Sequence, residues 1–375
     1  MIYLDNAATS FYKPDCVLRT TCETLYKSSA NPGRSGHDLS VAAGEILYDT
    51  RKNLAKLFNI ENPERIVFCN NTTDALNKGI KGVMARGGHM ITTSMEHNSV
   101  IRPIKALEEK GVTHSILNAN QYGELDFEKL ERLIKRETRL IVMTHASNVC
   151  GNIYDIKKAA HIAHRNNVLF MVDAAQSAGC THIDCSDIDL LAFPGHKGLM
   201  APMGCGGLYV RDGVKIKPII EGGTGSVSES LTQPDFFPDI LESGTLNVPA
   251  IAGLGKAAEF ILSVGAENIG KHEKMLRRRF EEKIISLKNI KIYGSSNKCG
   301  ISSFNISGID CVEAAQKLND EFRICVRAGL HCAYLAHKSL KTHETGLIRV
   351  SFGYFNTPKD AESCADAVYK IAKSI

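Results

Sequence analysis

The chain has 375 residues, 43% of them hydrophobic and 23% charged, and its 45 basic and 41 acidic side chains leave a net charge of +4. This composition is ordinary for a soluble globular protein of one large or two smaller domains. Charges this balanced, with no Trp and no basic stripe of interleaved aromatic residues, argue against nucleic-acid binding. No apolar run reaches the roughly 20 residues that span a bilayer, and the opening "MIYLDNAATS" lacks a signal-peptide pattern. We therefore expect a cytoplasmic protein that contacts no membrane.

Short apolar runs alternate with amphipathic segments from about residue 40 to residue 210. The apolar runs are typical of strands, and they are RIVFCN (65–70), HMITTS (89–94), RLIVMTHAS (139–147), VLFMVDAAQ (168–176), LLAF (190–193) and GGLYV (206–210). The segments with helical spacing between them are LNKGIKGVMA, VIRPIKALEEKG, LDFEKLERLIKRE and IKKAAHIAHRNN. This alternation predicts an α/β fold with a mostly parallel sheet that is covered on both faces.

The pattern changes after residue 220. Residues 221–249 form a stretch rich in Gly, Ser and Pro with little periodicity, and a loop this long in a compact domain is usually functional. From about residue 250 a long helical pattern leads into short strands and helices. This last part predicts a smaller α+β domain.

The chain contains twelve cysteines, and no two of them have the C-x-x-C spacing of a zinc or redox site. In a cytoplasmic protein disulfides are not expected. We predict that most of these cysteines are small buried hydrophobic residues, that at most one or two take part in chemistry, and that the protein has no metal site.

Polar residues follow five of the predicted strands. Because open parallel sheets bind ligands at the C-terminal ends of their strands, these residues are candidates for one site. Residues 70–74 (NNTTD) open a helix, where hydroxyl and free N–H groups either hold a phosphate or simply cap the helix. The other strand ends carry His97, Asn148, Asp173 with Gln176, and the pair His196–Lys197.

These strand ends together offer an anion site, an imidazole, an amide, a carboxylate and a lysine. Pyridoxal phosphate requires such a set, because it needs a phosphate site, a lysine for its Schiff base and a carboxylate against its pyridinium nitrogen. Lys197 lies in AFPGHKGLM, directly after an apolar strand. Taken alone, it is also consistent with a solvated loop lysine, but as the cofactor lysine it has small neighbours that leave room for the ring.

Eight motifs stand in order along nearly the whole chain: YLDNAAT, EHNS, HASNVCG, VDAAQ, GHKG, ESGTLN, RAGLHCA and RVSFGYFNT. Together they resemble class V aminotransferase-fold enzymes, specifically the cysteine desulfurase and selenocysteine lyase family. The resemblance implies the fold type I of pyridoxal phosphate-dependent transferases, in which a large domain (16–254) contains a mostly parallel seven-stranded sheet. It also implies a small C-terminal domain (255–375 with the N-terminal segment 1–15) and a homodimer with a shared active site.

The matching motifs imply a role for each cofactor-site residue. Lys197 matches the Schiff-base lysine that also moves protons at the substrate Cα, and Asp173 matches the partner of the pyridinium nitrogen. Gln176 matches the donor to the phenolic oxygen. His97 matches the imidazole that stacks over the ring and assists proton transfer. Phosphate contacts are implied for Thr72, Thr73, His196 and, from the other subunit, Thr245.

The remaining motifs imply the substrate side of the site. Arg349 matches a bidentate clamp on the substrate carboxylate, a geometry that suits a guanidinium better than an ammonium. Asn148 and Arg327 match further substrate or cofactor contacts. Cys332 matches the sulfur acceptor, whose thiolate attacks the substrate sulfur and becomes a persulfide as alanine is released. We expect its neighbours His331 and Arg327 to lower its pKa, although one cysteine among twelve is also consistent with packing.

The form of RAGLHCA resembles the group II enzymes, whose cysteine lies on a short ordered segment and which often depend on a sulfur-accepting partner protein. The expected function is thus that of an L-cysteine desulfurase. A selenocysteine lyase uses the same residues but needs Cys332 less strictly. A non-catalytic sulfur-transfer scaffold is a third possibility. An ordinary aminotransferase is disfavoured, because its reaction would not use Cys332.

Two features depart from the family pattern. Pro194 stands where the family usually has Ser or Thr before GHK, so one hydroxyl expected near the phosphate is missing. The segment GGTGSVSESLTQPDFFPD, within the loop at 222–242, also differs from the corresponding segment of well-studied desulfurases. The first departure is the one observation in favour of a scaffold.

Overall fold

The structure is a computed structural model that describes residues 1–32 and 36–375. Its strands are β1 (Ile2–Tyr3), β2 (Ile66–Cys69), β3 (His89–Thr93), β4 (Thr113–Leu117), β5 (Thr138–Thr144), β6 (Leu169–Asp173), β7 (Leu190–Pro194), β8 (Gly206–Val210), β9 (Ile290–Tyr293), β10 (Ile301–Ile306), β11 (Ile324–Cys325), β12 (Arg327–Gly329) and β13 (Leu347–Ser351). Its α-helices are α1 (Asp15–Lys27), α2 (Asp38–Phe58), α3 (Thr72–Val83), α4 (Asn98–Glu108), α5 (Phe127–Arg132), α6 (Ile156–Arg165), α7 (Val248–Val264), α8 (Ala266–Ile284), α9 (Cys311–Phe322), α10 (Tyr334–Ser339) and α11 (Pro358–Lys373).

A seven-stranded sheet forms the centre of the fold, with strand order β2-β8-β7-β6-β5-β3-β4. Strand β8 runs antiparallel to both of its neighbours, and the other neighbouring pairs are parallel. The predicted α/β fold with a mostly parallel seven-stranded sheet is therefore confirmed. All six predicted strands lie in this sheet, and the edge strand β4 is the one that the sequence reading missed.

Both faces of the large sheet are buried, which explains its uninterrupted apolar strands. Along β5, Ile141 and Met143 join the core on one face, whereas Leu140 and Val142 join the core on the other. Strand side chains alternate between faces, so a strand covered on both sides needs an apolar residue at every position.

A second sheet, with strand order β12-β13-β10-β9, is antiparallel throughout, and helices α8, α9 and α11 surround a separate core beside it. The N-terminal strand β1 pairs with β11 in parallel. The division of the chain into domains at 254–255 stays a prediction. This boundary lies inside α7, which packs against α1 and α2 and contributes Ile261 to the core of the large sheet.

No single helix within residues 1–32 and 36–375 is long and apolar enough to cross a bilayer. Helices α7 and α8 are long and apolar enough only when taken together, and a 78° bend separates them.

Candidate active site

The C-terminal ends of the parallel strands meet above the large sheet, where a cavity of about 220 Å³ opens. Ten of the twelve site residues predicted from the sequence line this one cavity: Thr72, Thr73, His97, Asn148, Asp173, Gln176, His196, Lys197, Arg327 and Arg349. Of the other two, Cys332 lines an adjoining groove and Thr245 is exposed outside both. The strand ends thus bring together residues that lie up to 125 positions apart, from Thr72 to Lys197, and Arg327 and Arg349, which the resemblance implied, line the same cavity.

Lys197 lies three residues beyond β7, and its side chain lines the cavity. Burial lowers the pKa of its ammonium to about 8. The nearby guanidinium groups of Arg349 and Arg327 act in the same direction, and the Asp173 carboxylate opposes them. A lysine with this pKa is partly uncharged near neutral pH, so its Nζ can act as a nucleophile or a base.

The glycines beside the His-Lys pair serve backbone packing. A Cβ on Gly198 would lie 2.5 Å from the carbonyl oxygen of Ala178, and a Cβ on Gly195 would lie 2.6 Å from the sulfur of Cys205. Both distances are shorter than real contacts of a Cβ. The glycines therefore let the Lys197 loop pack closely against its neighbours, and the expectation that they also leave room for a ring stays a prediction.

Asp173 ends β6 and lies almost fully buried at the cavity wall. Burial raises the pKa of its carboxyl, while the N–H of Ala175, which donates to Oδ1 at 2.9 Å, and the charge of Lys197 both lower it. Gln176 is held in place because its Nε2 donates to the Ala7 carbonyl oxygen at 2.9 Å. A buried carboxylate in this position is suited to bind a cationic ring nitrogen.

His97 is the N-cap of α4, and its Nδ1 accepts a hydrogen bond from the backbone N–H of Ser99 at 3.0 Å. The proton of the neutral ring therefore resides on Nε2. Burial, followed by the positive charges of Lys197 and Arg327, lowers the pKa of His97 to about 4. The Ser99 hydroxyl also contacts Thr73 at 2.7 Å and so joins the imidazole to the start of α3.

The start of α3 offers an anion site. Thr72 is its first residue, and the Thr72 hydroxyl is buried without a hydrogen-bond partner among the described residues. The Nδ1 of His196 is likewise buried and unpartnered there, and burial lowers the pKa of this imidazole to about 4. Free polar atoms at a helix N-terminus suit a phosphate, so the residues present fit pyridoxal phosphate even with Pro194 in place of a hydroxyl.

Arg349 lies on β13 of the small sheet, is 2% exposed, and reaches the cavity from that side. Its Nη1 donates to the Asn148 carbonyl oxygen at 2.9 Å, and its Nη2 pairs with an Asp5 carboxylate oxygen at 2.9 Å. Its Nε is buried with no partner in the described part of the chain. The guanidinium is therefore fixed in orientation and still has N–H groups to offer a carboxylate.

Cys332 sits in a strained turn at the mouth of the cavity. Both His331 and Cys332 have left-handed backbone angles, with φ of 49° and 56°, which cost free energy for residues other than glycine. The turn is held at both carbonyls, because Asn148 Nδ2 donates to the His331 oxygen and Asn98 N–H donates to the Cys332 oxygen, each at 2.7 Å. Arg327 Nη2 approaches the sulfur to 3.9 Å.

Only one of the two predicted cationic neighbours of this sulfur is charged. Burial above all lowers the pKa of His331 well below its ordinary value, so this imidazole is neutral. The positive charge next to Cys332 therefore comes from Arg327. Cys332 is one of two exposed cysteines, with Cys22, whereas eight of the twelve are buried as expected.

The sequence reading missed three residues that support the site. Asp5 pairs with Arg349, and Ser99 orients His97. Glu96 is fully buried, and its Oε1 accepts hydrogen bonds from the Thr93 hydroxyl and the Thr144 N–H, at 2.6 and 3.0 Å. Burial raises the pKa of Glu96 to about 8. All three missed residues lie inside the YLDNAAT and EHNS motifs, and their place in these motifs is the signal that could have identified them.

Relatives of known sequence place the chain in a family. Residues 2–363 match the family described as aminotransferase class-V. A "Probable cysteine desulfurase" from Methanothermobacter thermautotrophicus is 36% identical over 380 residues, which cover 99% of this chain and 94% of that protein. Another, from Pyrococcus abyssi, is 34% identical over 391 residues and covers 100% and 95%.

Solved structures agree with these relatives. The apo structure of a cysteine desulfurase from Thermococcus onnurineus NA1 superimposes with a TM-score of 0.93 at 32% identity, covering 100% of this chain and 95% of that one. The cysteine desulfurase CsdA from Escherichia coli gives a TM-score of 0.90 at 26% identity, with the same coverage. The fold, the motifs and the length of the match lead to one conclusion: the chain belongs to the class-V aminotransferase family.

Proposed function

We propose that this protein is a pyridoxal phosphate-dependent L-cysteine desulfurase, which converts L-cysteine to L-alanine and carries the sulfur as a persulfide on Cys332. The observation that carries the proposal is the arrangement of one lysine, one carboxylate and two guanidinium groups around a single cavity, with an exposed cysteine at its mouth. The cysteine desulfurases among its relatives support the choice of reaction.

The cofactor would be held by residues from four strand ends. Asp173 would hold its ring nitrogen, and Lys197 would bind it covalently. Gln176 would donate to its phenolic oxygen, and His97 would stack over its ring. Thr72, Thr73 and His196 would bind its phosphate, with Thr245 of the partner subunit in a homodimer. When bound, pyridoxal phosphate withdraws electrons from the substrate Cα and weakens the bonds around it.

The chain's own groups would orient the substrate and move its protons. Arg349 would bind the substrate carboxylate through two N–H groups, with Asn148 and Arg327 beside it. Lys197 Nζ, with a pKa near 8, would accept the proton from the substrate Cα and later return one. The neutral His97 would donate through Nε2–H, since its Nδ1 is engaged.

Cys332 would take the sulfur. As its thiolate attacks the substrate sulfur, an S–S bond forms and the substrate C–S bond breaks, and the electron pair stays on the carbon side. A proton then reaches that carbon, and alanine leaves. The Arg327 guanidinium, whose Nη2 lies 3.9 Å from the sulfur, would place a positive charge beside the attacking group.

The test is a reaction of the purified holoenzyme with L-cysteine. We expect one equivalent of alanine to form in a burst, together with one added sulfur atom on the peptide that contains Cys332, measured by mass spectrometry. Cys332→Ser should abolish both products, while Cys22→Ser, the matched exposed cysteine, should leave both intact. Alanine formation without any sulfur on Cys332 would refute the proposed sulfur acceptor.

The same variant separates the alternatives. A selenol leaves more readily than a thiol, so a selenocysteine lyase would retain cleavage of L-selenocysteine in Cys332→Ala. A scaffold would release alanine from neither substrate, even when reconstituted with cofactor. The homodimer, a sulfur-accepting partner protein and the cytoplasmic location stay predictions that gel filtration, co-purification and fractionation test.

A further inference from the structure

A second, smaller cavity adjoins Lys197. Its volume is about 40 Å³, and it lies where the N-terminal segment, the loop after β7 and the small sheet meet. Lys197, Gln176 and Ala7 line both this small cavity and the active-site cavity, so the lysine borders two spaces. Glu273 of α8 lines the small cavity and not the active-site cavity.

Glu273 is a buried acid without a counter-ion. It is 7% exposed, and it forms no ion pair within residues 1–32 and 36–375. The guanidinium of Arg277, one turn later on α8, is already paired with Glu281. The Cys180 thiol is the one group in the described part of the chain that hydrogen-bonds the Glu273 carboxyl. A carboxyl with spare hydrogen-bonding capacity therefore borders the small cavity.

The surroundings of this carboxyl keep it protonated. Burial raises the pKa of Glu273 to about 8, and the Cys180 hydrogen bond and the charge of Lys274 oppose the rise only in part. Cys299 also lies near the carboxyl, and burial raises the pKa of the Cys180 and Cys299 thiols, so neither is charged near neutral pH. Glu273 is thus a neutral acid at neutral pH, and its proton can be released and taken up again in that range.

The small cavity has the size and the polar lining that bound water requires. One water needs roughly 10–15 Å³ of such a volume and two to four polar partners, so about three waters fit. Asn6 Nδ2 and Gln176 Nε2 each donate to a backbone carbonyl oxygen at 2.9 Å, which leaves Asn6 Oδ1 and Gln176 Oε1 without a partner among the described residues. Lys197 Nζ likewise makes no hydrogen bond to them. With the Glu273 carboxyl, these atoms can hold a short chain of waters between the acid and the lysine.

The proposed reaction moves more protons than one lysine can hold. Lys197 Nζ takes the proton of the substrate Cα and later returns one. The carbon that loses its sulfur takes a further proton, which balances the proton that Cys332 gives up when it becomes a thiolate. A lysine that exchanges protons with a nearby acid can meet both demands.

We propose that Glu273 exchanges protons with Lys197 through water molecules in the small cavity and is the proton reservoir of the site. The inference rests on the proposed desulfurase function and deepens it. The Glu273 carboxyl gives a proton to the first water while the last water gives one to Lys197 Nζ, and the reverse transfer restores the acid. No electrons move, so the exchange needs no oxidant or reductant, and Glu273 acts through Lys197 without touching the substrate.

The test follows the Cα hydrogen through a single turnover of the holoenzyme with L-cysteine deuterated at Cα. Mass spectrometry of the alanine gives the fraction of deuterium that is retained at Cα. In the unaltered enzyme we expect almost none, because Lys197 exchanges the deuteron with the reservoir before it returns a proton. In Glu273→Gln this exchange is blocked, and retention should rise to as much as about one third, because an ammonium carries three equivalent hydrogens.

Two further variants separate proton exchange from packing. Glu273→Asp keeps a carboxyl and should retain almost no deuterium. Glu282→Gln alters an exposed glutamate of the same helix and should behave like the unaltered enzyme. Retention in Glu273→Gln as low as in the unaltered enzyme would overturn the inference. So would equally high retention in the Asp and Gln variants, since a disturbed cavity and not the acid would then be the cause.

A measurement on the cofactor-free protein keeps the two hypotheses apart. The infrared carbonyl band of protonated carboxyl groups should contain a part that disappears with a midpoint near pH 8 and is missing in Glu273→Gln. Burial also raises the pKa of Glu96 to about 8, so the difference between the two proteins is the quantity to compare. If the holoenzyme forms no alanine, the proposed desulfurase function fails. If alanine forms but the two proteins have the same carboxyl band, only the reservoir fails, because Glu273 would then hold no proton to exchange.

Discussion

Burial in the cavity, which also places two guanidinium groups and one carboxylate near Lys197, lowers the pKa of its ammonium to about 8. Below pH 8 its Nζ is mostly protonated, and above pH 8 it is mostly an uncharged amine. The reactivity of Lys197 toward acetic anhydride in the cofactor-free protein should therefore rise with pH to a midpoint near 8. The midpoint for N-acetyl-lysine amide, measured in parallel, lies near 10.4.

Two substitutions should move this midpoint in opposite directions. Asp173→Asn removes the charge that stabilises the ammonium, so the midpoint should fall. Arg327→Gln removes a repelling charge, so the midpoint should rise. A midpoint near 10.4 in all three proteins would mean that Lys197 is fully hydrated and that the cavity does not affect it.

Arg349 is a second residue whose role depends on its geometry. Arg349→Lys keeps the positive charge but loses the flat pair of N–H groups and at least one of the contacts to Asn148 and Asp5. Hydrogen bonds to charged groups contribute about 1.5–3 kcal/mol, so kcat/KM for L-cysteine should fall about 10- to 100-fold. The absorption of the bound cofactor should stay unchanged.

The exposed Arg278 on α8 provides the control for this substitution. Arg278→Lys should leave kcat/KM as it is. If Arg349→Lys also left the kinetics unaltered, the carboxylate of the substrate would have to bind elsewhere in the cavity.

Among the structural elements, the loop after β7 depends on a close backbone contact at Gly198. Gly198→Ala would bring a methyl group to 2.5 Å from the Ala178 carbonyl oxygen, so the loop must shift and carry Lys197 with it. We expect cofactor affinity to fall at least tenfold and stability to fall by about 1–3 kcal/mol. Titration of the cofactor-free protein with pyridoxal phosphate and thermal unfolding measure the two effects.

Gly44 in the interior of α2 is the matched control. A Cβ there has no atom within 4 Å, so Gly44→Ala should leave cofactor affinity unchanged and raise stability by about 0.5–1 kcal/mol. Unaltered affinity and stability in Gly198→Ala would show that the loop has room to relax.

Whether a strand of the large sheet could be recognised from the sequence depended on how continuously its residues are buried. Central strands such as β6 are buried at nearly every position, so their apolar runs identified them. Strand β4 lies at the edge of the sheet, and four of its five residues, THSI, are exposed or half-buried. It has no continuous apolar run, unlike β2 at the other edge, which is buried at all four positions, and so its residues did not indicate a strand.

Within the site, residues placed by a local sequence pattern were predictable, and contacts made by distant packing were not. Asp173 and Lys197 were predictable because the first ends a parallel strand and the second lies three residues beyond one. The partner of Arg349 was not, because Asp5 and Arg349 lie 344 positions apart and meet only through the packing of the N-terminal segment. The role of His331 was misjudged because its charge depends on burial, which no local pattern reveals.

In the molecule as a whole, the N-terminal segment joins the two sheets at the site. The backbone of Leu4 bonds to Cys325 beside the small sheet and to Ser351 within it. A few residues later, Ser10 N–H and Thr9 Oγ1 donate to the carbonyl oxygen of His196, next to Lys197. The segment therefore couples Arg349, the proposed substrate clamp on one sheet, to Lys197, the proposed cofactor lysine beside the other.

Leu4 anchors this segment, since its side chain is fully buried in the core of the small sheet. Leu4→Ala should lower the free energy of unfolding by about 2–5 kcal/mol, because it removes buried methyl groups and leaves a cavity. Asp5 follows directly and would lose its fixed position against Arg349, so KM for L-cysteine should rise as well. Urea denaturation followed by circular dichroism and steady-state kinetics measure these two effects.

Val312→Ala on α9 shortens a side chain that is 57% exposed, and it should change stability by less than about 0.5 kcal/mol and leave KM unaltered. If Leu4→Ala lowered stability while KM stayed constant, the segment would stabilise the fold without positioning the clamp. A rise in KM in both Leu4→Ala and Asp5→Asn would instead show that the segment acts on Arg349 through the Asp5–Arg349 ion pair, because Asp5→Asn leaves the buried core intact.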